Sequence, residues 1–128
     1  MKIDRLDHLV LTVNSIESSC AFHSRVLGME VVTFGAERKA LRLGAQKINL
    51  HQAGREFEPR ADSPTPGSAD ICFISVTPST DVIVHLTRCG VPIIEGPVTR
   101  TGATGLIQSV YFRDPGQNLF EVSTYDMG

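Results

Sequence analysis

One histidine and two carboxylates stand out as the side chains best suited to chemistry. His8 opens the apolar segment DHLVLTV, Asp70 opens DICFISV, and Glu121 lies inside LFEVS. A lone carboxylate within an apolar strand is costly to bury without a partner. A divalent cation is one such partner, and the guanidinium of Arg100 or Arg113 is another. These residues alone leave the two alternatives open.

The elements that must position these residues follow a regular order in the first half of the chain. Asp7 to Val13 alternates as a strand does, and Asn14-Ser15 then offers a cap for a helix that ends at Gly28. Short strand patterns follow at Met29 to Phe34, Lys39 to Leu43 and Gln46 to Gln52, separated by glycine-containing breaks.

The second half repeats this order after a loop with three prolines, Ala53 to Gly67. A strand from Ser68 to Val76 precedes a helix that opens at Pro78 and ends at Gly90. The remaining segments are a strand at Val91 to Ile94, a turn region from Glu95 to Gly105, and strands at Leu106 to Arg113 and Leu119 to Thr124.

The pattern therefore predicts an α+β fold made of two βαβββ modules. We place the first at about residues 1–53 and the second at about 68–128, with a linker at about 54–67. A ferredoxin-like fold is the structural rival because it also combines two helices with antiparallel strands. It has four strands, whereas this sequence predicts about eight.

Composition restricts the function classes. Hydrophobic residues make up 41% and charged residues 20% of the 128 residues, as in ordinary globular domains. The net charge of −2 and the dispersed basic residues argue against nucleic acid as a partner. No run is long enough for a membrane span, and acidic residues interrupt any signal-peptide pattern at the start. Three widely spaced cysteines suggest free thiols, and we expect a cytoplasmic protein.

Several segments resemble a known superfamily. DHLVLTV, the helix end RVLGMEVV and YFRDPGQNLFEVS look like the vicinal oxygen chelate superfamily, which includes glyoxalase I, bleomycin-resistance proteins and extradiol dioxygenases. RKALRLGAQKINLHQAG and EGPVTRTGATG look closer still to the glyoxalase domain-containing or virulence-associated group. The resemblance spans almost the whole chain. It implies that the paired βαβββ modules form a curved, mixed sheet cup.

The resemblance also implies a metal site. In the superfamily the ligands come from the first strand of each module and the last strand of the second, which correspond here to His8, Asp70 and Glu121. One imidazole and two carboxylates suit a divalent ion such as Mn, Fe, Ni, Co or Zn. Asn49 stands where glyoxalase I has a glutamate, and an amide is a weak ligand. His51, on the same strand face as Asn49, is then a candidate to reach the metal or the substrate.

The same resemblance assigns further roles. We expect Glu121 and His51 to take part in catalysis, and Ser109 and Tyr111 to line the cup as substrate contacts. Core packing is a competing role for Tyr111. The other predicted substrate contacts are Asn49, Arg100 and Thr101, of which the last two are placed in a Gly/Thr loop that would clamp an anionic substrate.

Three functions remain under consideration. The first is a metal-dependent lyase, isomerase or transferase that chelates a small oxygenated metabolite through two oxygens and uses Lewis-acid catalysis. The second is a non-heme iron extradiol-type dioxygenase, and the third is a metal-free drug-binding protein of the bleomycin-resistance kind. By resemblance we also expect a homodimer, with sites completed across the subunits.

Overall fold

The strand–helix–three-strand order occurs twice in the computed structural model, which describes residues 1–125. The elements of the first unit, Met1–Gly67, are β1 (His8–Val13), α1 (Ile16–Leu27), β2 (Glu30–Phe34), β3 (Arg38–Leu43) and β4 (Gln46–Gln52). Those of the second unit, which begins at Ser68, are β5 (Asp70–Ile74), α2 (Ser79–Arg88), β6 (Ile93–Thr101), β7 (Leu106–Arg113) and β8 (Leu119–Thr124). The predicted α+β class and βαβββ order are confirmed. Residues 126–128 of the predicted second module lie outside the described residues.

The first unit is a four-stranded mixed sheet with α1 against it. The strand order is β1-β4-β3-β2, with β1 parallel to β4 and the other pairs antiparallel. The Ser15 hydroxyl accepts the Ser18 N–H at 3.1 Å, and Gly28 ends the helix with a left-handed φ of 66°. The buried apolar residues of one sheet face and of α1 form the core: Leu11, Val13, Leu41, Ile48, Leu50, Phe22 and Val26.

The second unit repeats this sheet with the order β5-β8-β7-β6, again with its first strand at the edge and parallel to its last. Phe120 lies at the centre of its core, edge-to-face against Phe73 at 5.2 Å and Phe112 at 6.1 Å between ring centroids. Val82 and Leu86 of α2 are buried as well. Because strand residues alternate between faces, this aromatic core leaves Glu121 and its neighbours on the opposite face.

The predicted turn region from Glu95 to Gly105 is wrong up to Thr101, because β6 continues to that residue and pairs along β7; the turn is confined to residues 102–105. Gly96 and Pro97 suggested a turn, but they lie within an irregular strand whose register shifts between Glu95 and Val98. A Cβ atom on Gly96 would come within 2.6 Å of the Ser109 carbonyl oxygen, so the close approach of the two strands requires glycine. Arg100 and Thr101 are therefore strand residues and not loop residues.

Within residues 1–125, we find no helix with the length and hydropathy needed to cross a bilayer.

Candidate functional site

A pocket of about 410 Å³ lies on the second unit. This volume is common among sites that bind small molecules. Its walls include side chains with acidic, basic, phenolic and thiol groups: Cys72, Arg100, Thr101, Tyr111, Glu121 and Tyr125. Five of these residues come from the four strands β5, β6, β7 and β8, and Tyr125 directly follows β8. The strand register brings them together.

The register places a row of functional side chains across the sheet. Cys72 pairs with Glu121, Glu121 with Tyr111, and Tyr111 with Glu95, on four successive strands. Direct cross-strand partners point to the same face, so these four side chains are neighbours in order. Asp70 lies on that face too, but it pairs with Leu119 and is thus one row away from Glu121.

Glu121 is half-buried and is held by two hydroxyl groups. Its Oε2 accepts hydrogen bonds from Ser109 Oγ at 2.5 Å and from Ser123 Oγ at 3.3 Å, and the two hydroxyls lie 2.7 Å apart. Ser109 is fully buried behind the carboxylate, whereas the sequence predicted it as a substrate contact. The Ser109 hydroxyl contacts the Glu121 carboxylate and the Ser123 hydroxyl.

The two arginines that the sequence offered as counter-ions have other partners. Arg100 donates from Nε to the Tyr111 hydroxyl and from Nη2 to Glu95, both at 3.2 Å. Arg113 donates to the carbonyl oxygen of Gln117 at 3.3 Å. In the described part of the chain, Glu121 has no ion pair with any basic side chain.

The phenol and the thiol beside Glu121 are favoured in their neutral forms. Burial raises the pKa of Tyr111; the hydrogen bond from Arg100 acts in the opposite direction, and the charge of Glu121 raises the pKa further. Burial also raises the pKa of the Cys72 thiol, which donates to Ser123 Oγ at 3.4 Å. Near neutral pH both groups are hydrogen-bond donors, and Cys72 is a poor thiolate nucleophile.

Tyr125 is a pocket residue that the sequence analysis missed. Its hydroxyl accepts the backbone N–H of Thr104 at 3.2 Å and so ties the β6–β7 turn to the end of β8. Hydrogen bonds with the side chain and then the backbone of Thr104 lower the pKa of Tyr125. Alternation from Glu121 through Ser123 to position 125 was a signal that would have placed this ring on the pocket face.

Three predicted site residues lie on one face of the first unit's sheet. His8 pairs with Lys47, and the next residues on that face of β4 are Asn49 and His51. His8 Nδ1 lies 2.8 Å from a carboxylate oxygen of Asp7. Asn49 and His51 are both buried, and burial followed by the nearby Arg38 charge lowers the pKa of His51.

The donor chemistry of His8, Asp70 and Glu121 fits a divalent cation. An imidazole and two carboxylates are ordinary ligands, and the contact of His8 Nδ1 with Asp7 orients the ring as carboxylates do for metal-bound histidines. Glu121 also lacks a basic partner among residues 1–125. In the same residues, no three His, Cys, Asp or Glu side chains are grouped closely enough to hold a metal ion. The three-ligand set remains a prediction.

Known proteins are similar to this chain over nearly its whole length. Virulence protein STM3117 of Salmonella typhimurium is 59% identical over 125 residues, which cover 98% of this chain and 87% of that protein. Glyoxalase domain-containing protein RDO1 of Mycosarcoma maydis is 51% identical, with coverage of 98% and 70%.

Solved structures agree with these sequence matches. The crystal structure of STM3117 matches with a TM-score of 0.96, covering 98% of this chain and 99% of that one. An integron cassette protein from V. cholerae, 59% identical, also has a TM-score of 0.96 and 98% coverage of both chains. The model of the Glyoxalase/Bleomycin resistance protein/Dioxygenase superfamily matches residues 5–122. The resemblance seen in the sequence is thus confirmed, and the chain belongs to this superfamily.

Proposed function

We propose that this chain binds a small oxygenated metabolite in the pocket of its second unit and acts on it with a divalent metal ion held by His8, Asp70 and Glu121. The observation that carries the proposal is the set of partners around Glu121. This half-buried carboxylate is fixed by two hydroxyls, lies in a pocket wall, and has no basic partner among residues 1–125. A carboxylate in that state is well prepared to accept a cation.

The hydroxyls of Ser109 and Ser123 orient the Glu121 carboxylate, which is a proposed ligand of the metal ion. Both contact Oε2, so the carboxylate is held in one rotamer before anything binds. A divalent ion held by this carboxylate would supply Lewis acidity to the substrate. Because the Glu121 side chain is already held in place, less conformational entropy is lost when an ion binds.

The other pocket residues bind and orient the substrate. The Tyr111 phenol is neutral and can donate to a substrate oxygen, and Arg100 lies beside it with its guanidinium carbon 5.6 Å from the ring centroid. Glu95 already neutralises part of the Arg100 charge, so this arginine favours a weakly anionic or polar oxygen group. Thr101 contributes a hydroxyl from the same strand.

We extend the proposal to His51, Asn49 and the subunit arrangement. His51 is buried with a lowered pKa, so its imidazole is neutral near pH 7 and suited to accept a proton. Asn49 precedes it on the same face and would contact the substrate. In the predicted homodimer, His8 comes from either the same subunit or its partner.

Metal analysis of the purified protein tests this function. Wild type grown with Mn, Fe, Ni, Co and Zn should retain about one ion per site, and His8→Ala and Glu121→Gln should lose most of it. Glu95→Gln is the matched control because Glu95 lies in the same row of the sheet but is paired with Arg100. It should keep the wild-type metal content.

Two outcomes would contradict the proposal. Retention of metal by Glu121→Gln would remove Glu121 from the ligand set. A wild type that holds no ion yet binds small molecules would favour the metal-free binding alternative. Oxygen uptake with catechols by the metal-loaded protein would favour the dioxygenase alternative instead.

A further inference from the structure

The first unit carries a cluster of aromatic and basic side chains around Arg38, which the sequence analysis did not single out. The guanidinium carbon of Arg38 lies 4.5 Å from the ring centroid of Phe57 and 5.0 Å from that of Phe34. His51 packs edge-to-face on Phe57 at 5.6 Å. We call Phe34, Arg38, His51 and Phe57 the Arg38 cluster.

The two phenylalanine rings shield the Arg38 guanidinium, which leaves its in-plane N–H groups as its means of binding a polar partner. One of them, Nη2, lies 3.4 Å from His51 Nε2. The Nε atom is sealed from solvent and has no hydrogen-bond acceptor among residues 1–125. A buried donor without an acceptor is costly and uncommon in native proteins.

The charges around Arg38 are not balanced. No acidic side chain of the described residues forms an ion pair with it, and His51 is neutral near pH 7. Lys47 adds a second positive charge, with its ammonium 3.9 Å from the Phe34 centroid. Glu56 acts electrostatically on His51, but its carboxylate accepts the Gly54 N–H at 2.8 and 3.2 Å.

Arg42 shows the ordinary arrangement for comparison. It lies on the same strand and, by alternation, on the same face as Arg38. Its Nη1 is 3.7 Å from Glu30, and its side chain is 57% exposed. Arg38 is more buried, stacked on two rings, and without such a partner. The difference lies in the surroundings and not in the residue type.

We infer that the Arg38 cluster is a binding site for the carboxylate of a small organic acid. A guanidinium edge matches a planar carboxylate, and Phe34 and Phe57 offer apolar surface for an attached hydrocarbon or aromatic group. Asn49, two residues before His51 on the same face, has a buried Oδ1 without a partner in residues 1–125. Because the amide oxygen and nitrogen are interchangeable in assignment, it can present a donor there. The site shares His51 and Asn49 with the proposed function, but the binding of a carboxylate by Arg38 goes beyond that function because it needs no metal.

Titration of the full chain with benzoate in EDTA tests this inference. We expect saturable binding by calorimetry, a shift of the Arg38 Nε–H resonance, and no binding of the neutral isostere benzamide. Arg38→Met should weaken benzoate binding roughly tenfold or more, because a charge-assisted contact is lost. Arg42→Met, the matched control, should stay within about twofold of wild type.

Phe57→Leu provides a second variant at a 40% exposed position in a loop, where a folding defect is not expected. It should weaken benzoate binding severalfold while circular dichroism stays unchanged. Absence of saturable binding to wild type, or equal binding by Arg38→Met, would overturn the inference. Glu121→Gln should bind benzoate as wild type does, so failure of the metal proposal would leave this result intact.

Discussion

Tyr111 and Glu121 are direct partners across the β7–β8 pair, and the Tyr111 phenol interacts both with the Arg100 guanidinium and with the Glu121 carboxylate. The Tyr111 hydroxyl accepts from Arg100, which also contacts Glu95. Glu121 is held by Ser109 and Ser123. In the pocket wall Arg100 is thus paired with Glu95, whereas Glu121 has only neutral hydroxyl and thiol groups as partners among residues 1–125, which is the basis of the proposed metal site.

Ser109 and Glu121 should be energetically coupled, because their side chains share a partly buried hydrogen bond. Ser109 is fully buried, so Ser109→Ala removes a donor that water cannot replace. In a double-mutant cycle of Ser109→Ala with Glu121→Gln, we expect a coupling free energy of about 1–2 kcal/mol. Urea unfolding of the four proteins in EDTA provides the measurement.

The Arg100–Glu95 pair supplies the contrast for this cycle. Its side chains are 42% and 54% exposed, and ion pairs at such positions contribute less than about 1 kcal/mol. The cycle of Arg100→Met with Glu95→Gln should therefore give a smaller coupling. A Ser109–Glu121 coupling near zero would show that the carboxylate is not fixed by that hydroxyl.

Gly96→Ala should destabilise the second unit. An added Cβ would lie 2.6 Å from the Ser109 carbonyl oxygen and 2.8 Å from Val110 Cα, at a φ of +129°. Backbone atoms cannot give way as a flexible side chain does, so we expect a loss of about 2–4 kcal/mol in the free energy of unfolding. Gly44→Ala is the control: its φ is also positive, but its added Cβ would meet nothing within 4 Å. It should cost about 1 kcal/mol, and equal losses would contradict the steric explanation.

Asn118→Ala should also destabilise the protein, because Asn118 links the β7–β8 turn to the start of β5. Its Oδ1 accepts the Ala69 N–H at 2.9 Å, and its Nδ2 donates to the buried Asp114 carboxylate at 2.9 Å. Alanine would leave both groups without a side-chain partner, at a cost of about 2–3 kcal/mol. Gln117→Ala, at an exposed side chain next to it, should change stability by less than about 0.5 kcal/mol. Thermal and urea unfolding would both show the difference.

Local sequence signals were enough for most of the fold. The Ser15 cap, the Gly28 stop and the bounds of β4 follow from capping and alternation, which act within a few residues. The extent of β6 did not follow, because Gly96 and Pro97 favour turns locally and only close packing on β7 keeps them in a strand.

The candidate site was predictable only in part for a related reason. Glu121 was found because a carboxylate among apolar residues is unusual in itself. The role of Ser109 depends on which residue of β8 it faces, and the Arg38 cluster depends on a loop residue, Phe57, that folds back over β3. Neither relation exists before the strands are paired and the loop is placed.

The lowered pKa of His51 should make stability depend on pH. Burial is the main cause and the Arg38 charge the second, while Glu56 acts in the opposite direction. The folded pKa lies below the unfolded value of 6.5, so the unfolded chain binds a proton first as the pH falls. The contribution of His51 is therefore complete above pH 6.5 and is lost as the pH drops toward the folded pKa.

Two measurements test this dependence. An NMR titration of the His51 ring should give a pKa below 6.5 in wild type, a higher one in Arg38→Met, and a lower one in Glu56→Gln. The unfolding free energy of His51→Gln should fall less steeply than that of wild type below pH 6.5, since the glutamine takes up no proton in either state. A His51 pKa well above 7 would mean that its imidazole is mostly charged beside Arg38 at neutral pH. The neutral acceptor required by both the proposed proton transfer and the Arg38 cluster would then be absent.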